Sequence, residues 1–99
     1  MPTAPGLPLT PLAQGLGDRL RWAILRELAT GDSLMVVEIA QKIGKSATLI
    51  SKHLGVLRKA GMVAIKQRLH FIPRQFLVEP GRRIVDFGHC VLRMDADAG

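Results

Sequence analysis

The sequence predicts an α+β fold, mainly helical, that closes on a small β hairpin. Three observations carry that expectation. Apolar residues recur at three- and four-residue steps between Leu20 and Leu57, which is the helical period. Capping residues and glycines cut this stretch into short helices. After Gly61 the residues turn β-like, and a polar dipeptide divides that run in two.

The elements follow in order. Residues 1–11 are proline-rich and carry no basic residue, so they are expected to form a flexible arm and not a secretory signal. Residues 12–99 are expected to be the folded domain. Leu9, Leu12 and Leu16 suit a short amphipathic turn that ends near Gly15 and Gly17. Asp18 is a good N-cap for the next helix, which turns Leu20, Ala23, Ile24 and Leu28 inward. Trp22 and Leu25 widen that apolar stripe, and Thr30-Gly31-Asp32 stops the helix. Leu34 and Met35 read as a short extended link. Val36 to Ile43 then forms two helical turns that bury Val36, Ile39, Ala40 and Ile43, ending at Gly44. Ser46 caps a further helix, residues 46–60, with Ile50, His53, Leu54 and Leu57 inward and Gly61 as its left-handed terminator. Two helices joined by Gly44-Lys45-Ser46 have helix-turn-helix spacing.

Met62 to Lys66 is the first predicted strand, Gln67-Arg68 its turn, and Leu69 to Ile72 the return strand. Pro73 cannot donate to a ladder and ends it. A two-stranded wing at 62–72, directly after the second helix of the pair, makes the expected architecture a winged helix-turn-helix. Beyond it, Glu79-Pro80-Gly81-Arg82 matches a type II turn. Arg83 to Met94 fits either a helix or a strand. Its many β-branched and otherwise poor helix formers favour a strand that adds to the wing sheet.

Charge narrows the function. The chain carries a net charge of +6. From Ile39 to Val78 there is no Asp or Glu, yet Lys42, Lys45, Lys52, Arg58, Lys59, Lys66, Arg68 and Arg74 all fall there. Each flank is slightly acidic, so one contiguous segment holds the whole excess, as a polyanion-binding surface requires. An apolar share of 47% argues against a disordered chain, and no apolar run is long enough to span a membrane. Paired carboxylates, a Ser-His-Asp set and a glycine-rich phosphate loop are all missing, so no enzyme is expected.

The second helix of a helix-turn-helix enters the major groove of double-stranded DNA, and its N-terminal residues reach base edges. Here the outward face holds Ala47, Thr48, Ser51, Lys52 and Gly55. Small side chains let the helix axis approach the bases, Thr48 and Ser51 suit bases or phosphates, and Lys52 suits guanine acceptors. Lys45 and the amides after Ser46 sit at a helix N-terminus, where phosphate binds readily. Arg68 and His70 at the wing tip, with Lys66 and Arg74 behind, suit the flanking backbone or minor groove. Arg58 and Lys59, near the C-terminal end of that helix, suit a nucleic-acid contact or a simple complement of the helix dipole equally well. A rival reading is a winged helix that binds protein and not DNA; such modules present an acidic or apolar recognition face, and this one is neither.

Four short motifs resemble those of the ArsR-type repressors. Asp18, Arg21 and the Ile24-Leu25 pair look like that family's entry helix. Glu38-Ile39-Ala40 resembles its Glu-Leu-Ala, and Ser51-Lys52-His53-Leu54 its Ser-Arg-His-Leu. Leu57-Arg58-Lys59-Ala60-Gly61-Met62-Val63 resembles the run that leads into its wing. The resemblance spans Leu16 to Ile72. It implies a bacterial, cytoplasmic, homodimeric repressor, paired through elements at both ends of the domain, on an operator with two-fold symmetry. It also implies that His53 packs beneath the recognition helix.

The departures concern sensing. Met35 and Val37 stand where metal-sensing members carry two cysteines, so that thiolate site is absent. Asp86, His89 and Cys90 do not match the spacing of the C-terminal zinc site in other members. No metal or other cofactor is expected, and the effector is left open. Cys90 is the only cysteine, which excludes an intrachain disulfide and leaves burial, an interchain disulfide or a reactive thiol near Arg93.

Overall fold

The computed structural model describes residues 18–78, 83–88 and 91–93. Helix α1 (Arg19–Leu28) begins where the Asp18 carboxylate accepts the Leu20 amide at 2.7 Å. That bond stabilises the charged form and holds the carboxyl below its usual range. Ile24, Leu25 and Leu28 line one face and are fully buried. Trp22, expected to widen this stripe, is instead 39% exposed. Residues two apart on a helix do not share a face, so with Ile24 inward Trp22 turns outward.

Helix α2 (Val36–Ile43) starts with the Glu38 carboxylate accepting the Met35 amide at 2.8 Å. It ends at Gly44, whose φ of 80° lies in the left-handed region that L side chains disfavour. The chain then turns through Lys45 and Ser46 into helix α3 (Ala47–Lys59), where the Ser46 hydroxyl accepts the Leu49 amide at 3.2 Å. At the far end Gly61 takes a φ of 80°. Its amide reaches the Arg58 carbonyl and that of Met62 the Leu57 carbonyl, both at 3.0 Å, the paired bonds of a Schellman closure. Ile50, Leu54 and Leu57 are fully buried and join Ile24, Leu25, Leu28 and Ile39 in one core. His53 sits beside them and accepts a hydrogen bond at Nδ1 from Arg21 Nε at 3.2 Å, which ties α3 to α1.

Strand β1 (Ala64–Lys66) pairs antiparallel with β2 (Leu69–Phe71), with Ile65 opposite His70. The turn residues Gln67 and Arg68 have φ of 52° and 69°, the two positive values of a type I′ hairpin turn. These three helices and the hairpin wing make the expected winged helix-turn-helix of α+β class. One partner was not expected. Leu34, read from sequence as part of a plain link, bridges the other edge of β2 through His70.

The C-terminal expectation needs correction. Among the described residues, neither Ile84–Asp86 nor Val91–Arg93 adds a strand to the wing. They form their own antiparallel pair, β3 (Ile84–Asp86) and β4 (Val91–Arg93). Both edges of β2 are already taken, by β1 and by Leu34, and Pro73 with the 3-10 turn Arg74–Phe76 leads the chain away. The hairpin still feeds the core: Val85 and Phe87 are fully buried, and Phe87 meets the edge of Phe76 at 5.1 Å. The arm at 1–11, the turn at Leu9–Leu16, the turn Glu79–Arg82, and His89 and Cys90 lie outside the described residues.

Two glycines separate backbone need from mere smallness. A Cβ added at Gly44 meets nothing within 4 Å, so only the positive φ resists it. Gly44→Ala should therefore lower the unfolding free energy by about 1 kcal/mol. Gly55 is helical, and its added Cβ meets only the end of Arg58 at 4.0 Å, so Gly55→Ala should raise it by about 0.5–1 kcal/mol. Urea unfolding of the two variants against the parent checks both signs.

Candidate nucleic-acid interface

Helix α3 buries one face and leaves the opposite one bare. Because Ile50, His53, Leu54 and Leu57 point inward, Thr48, Ser51 and Lys52 are exposed. Ala47 is half-buried and packs against the core, closer in than a fully outward residue. Ala47, Thr48, Ser51 and Lys52 share a shallow groove of about 550 Å³ with Val36 and Val37 at the start of α2. Ser51, Val36 and Val37 also line an adjoining cleft of about 320 Å³, whose other wall is the wing, with Ile65 and Arg68. The recognition face of α3 and the wing tip thus belong to one continuous concave surface.

Lys45 is exposed in the turn before α3, and Lys66 is exposed on β1. The Ser46 hydroxyl satisfies the Leu49 amide, while the first amides of a helix have no intrahelical partner and face whatever lies beyond. Arg68 is exposed at the turn in a left-handed conformation. A non-glycine residue held there costs about 1–2 kcal/mol, so a long cation sits where glycine would be easier to place. Among the described residues, no acid lines either hollow. The nearest one in sequence, Glu38, is engaged with the Met35 amide.

His70 departs from its expected place. It does not sit outward at the wing tip but is 2% exposed at the centre of β2. Strand alternation turns it inward between Leu69 and Phe71, and its backbone is held on both sides. Arg58 departs too. Its guanidinium lies 2.8 Å from His70 Nε2, so it does more than complement the helix dipole. Arginine only donates, so His70 Nε2 accepts and the ring proton belongs on Nδ1. Nδ1 is buried and finds no partner among the described residues. Burial first, and then the Arg58 charge, push the imidazole below its usual value of 6.5 and keep it neutral.

Sequence reasoning left Arg58 undecided between this surface and the helix dipole, and missed its bond to His70. The signal was available in the spacing Thr48, Ser51, Gly55, Arg58, a single helical stripe. It also missed the exposed apolar side chains Met35, Val37 and Ile65 at the rim.

With the geometry in view, the comparisons with known proteins agree on its class. A curated relative, an uncharacterised helix-turn-helix-type transcriptional regulator of Methanocaldococcus jannaschii, is 37% identical over 54 residues. That match covers 54% of this chain and 61% of the relative, so the chain spans less than two thirds of the relative's length. Residues 16–65 match the helix-turn-helix domain family, which takes in α1, the helix pair and the start of the wing. The chain belongs to the helix-turn-helix domain family.

Proposed function

We propose that the protein is a sequence-specific, double-stranded DNA-binding transcriptional regulator that acts as a homodimeric repressor of the ArsR type. The observation that carries this reading is the continuous acid-free surface formed by the outward face of α3 and the wing tip. In it, the recognition helix at 46–60 lies in the major groove. Thr48 and Ser51 meet base edges, and Lys52 reaches guanine acceptors deeper in the groove. Lys45 and the first amides of α3 hold a phosphate. The wing at 62–72 lies on the flanking backbone or minor groove through Lys66 and Arg68.

Two copies paired through the ends of the 12–99 domain set two recognition helices about 34–36 Å apart on a two-fold symmetric operator. Repression follows from occupying DNA that polymerase needs. The ArsR assignment rests on the four linked motifs between Leu16 and Ile72, without the cysteine pair at Met35 and Val37. The expected place of action is the bacterial cytoplasm, on the nucleoid.

Salt titration of DNA binding by fluorescence anisotropy tests the reading. The logarithm of the affinity should fall linearly with that of the salt concentration. Arg68→Ala should weaken binding and flatten the slope by about 0.9 for every phosphate left unneutralised, while Lys52→Ala should weaken binding most on duplexes that carry the guanine it reaches. Thr48→Ala and Ser51→Ala should shift the sequences selected from a random duplex pool while leaving the slope intact. Arg68→Gly should separate binding from folding. It releases the positive-φ cost, raising stability by about 0.5 kcal/mol net of glycine's greater chain entropy, yet binds DNA more weakly. Unchanged affinity in both Lys52→Ala and Arg68→Ala would rule this surface out as the DNA-binding face.

A further inference from the structure

Between α3 and the wing, the cleft holds a pair that the DNA reading above does not use. Arg58 continues the recognition stripe Thr48, Ser51, Gly55 by one more turn, and it lines the same cleft as Ser51 and Arg68. Unlike Lys52 or Lys66, it does not hang free on a flexible stem: one arm of its guanidinium is fixed at 2.8 Å on His70 Nε2. His70 in turn is 2% exposed, and its backbone is paired with Leu34 on one side and Ile65 on the other. A guanidinium carries five N–H donors, and this anchor uses one arm of the fork. Arg58 lines the cleft with its orientation set by this anchor, which lowers the ordering cost of gripping an anion.

We propose that Arg58 is a phosphate-binding residue of the DNA interface and that His70 is its positioning residue. The occupant is a backbone phosphate of the DNA strand that passes between α3 and the wing. The inference rests on the DNA reading above and adds a phosphate to those it engages. Charge complementarity selects the occupant, because among the described residues Arg58 and Arg68 are the charged groups that line the cleft, and no carboxylate does.

The arrangement depends on a neutral His70. Nε2 must keep its lone pair to accept from Arg58; a protonated ring offers a second donor in its place. The groups that face His70 leave protonation uncompensated. From α3 it meets Arg58, and from the wing turn Arg68 lines the same cleft. From β1 it meets Ile65, and from the segment leading into α2 it meets Leu34, Met35 and Val36, all uncharged. Acidification therefore places two cations side by side and releases Arg58 from its anchor. The Arg58–His70 bond is intact above the usual histidine range and breaks as pH falls below it, where the imidazole is finally forced to charge.

The test measures the affinity of the full chain for a short mixed-sequence DNA duplex at low salt, from about pH 8 to about pH 5, past the lower end of the usual histidine range. Circular dichroism at each pH establishes that the chains stay folded. At the upper end Arg58→Ala should bind about tenfold more weakly than the parent, with a salt slope smaller by about 0.9. On acidification the parent should lose affinity towards the Arg58→Ala level. His70→Gln keeps an acceptor for Arg58 but cannot titrate, so its affinity should stay flat across the same range. Arg58→Ala with parental affinity and slope would overturn the phosphate-binding role. Identical pH profiles for the parent and His70→Gln would overturn the positioning role. A parent that binds no duplex at any pH would instead refute the DNA reading itself.

Discussion

Leu34 and His70 exchange two backbone hydrogen bonds, with the Leu34 amide 2.9 Å from the His70 carbonyl and the His70 amide 2.7 Å from the Leu34 carbonyl. An isolated two-stranded hairpin is marginal in water, and the wing strands span only Ala64–Lys66 and Leu69–Phe71. The bridge gives the wing a third partner and fixes it to the segment that leads directly into α2. Ile72 and Phe76, just beyond, are buried in the helical core and hold the other end of the hairpin. The wing is thereby set at a defined place beside α3. Without this pairing, Arg68 and Ser51 would have no reason to line one cleft.

A surface that gathers cations and excludes acids works against its own folding, because like charges repel. The molecule meets that cost in its core. Ile24, Leu25, Leu28, Ile39, Ile50, Leu54 and Leu57 are fully buried, and Val85 and Phe87 extend the same cluster from the C-terminal hairpin. Strain is placed at the wing tip, where Gln67 and Arg68 both take positive φ. The buried polar groups His53 and His70 each take an arginine, Arg21 and Arg58, as hydrogen-bond partner. One histidine ties α3 to α1 and the other ties α3 to the wing. The recognition helix is therefore held from two sides by an imidazole–guanidinium hydrogen bond, with no carboxylate in either link.

Much of the fold was legible because its signals are local. Asp18, Ser46, Gly44 and Gly61 act at their own helix ends, and the three-four spacing of Ile50, His53, Leu54 and Leu57 is a property of one element. What escaped was non-local. Nothing in the neighbourhood of Leu34 announces a partner 36 positions along the chain, and a histidine beside a turn looks like a tip residue until that partner is known. Filling the second edge of β2 in this way is also what displaced the C-terminal strand into its own hairpin. At the candidate interface, the small and polar face of α3 and the cation at Arg68 were readable from period and charge. The inward turn of His70 and the reach of Arg58 were not, because both depend on how two elements pack.

If the acid-free surface of α3 and the wing is the face that meets DNA, binding must perturb that face first. Backbone amide chemical shifts, followed by NMR as a mixed-sequence duplex is titrated in at low salt, test this without assuming an operator. Shift changes should concentrate from Lys45 to Lys52 and from Ile65 to Arg68, with the amides around Trp22 and along β3 and β4 largely unmoved. Shifts that instead gather on α1 near Trp22 or on the β3–β4 hairpin, with α3 and the wing unperturbed, would contradict it.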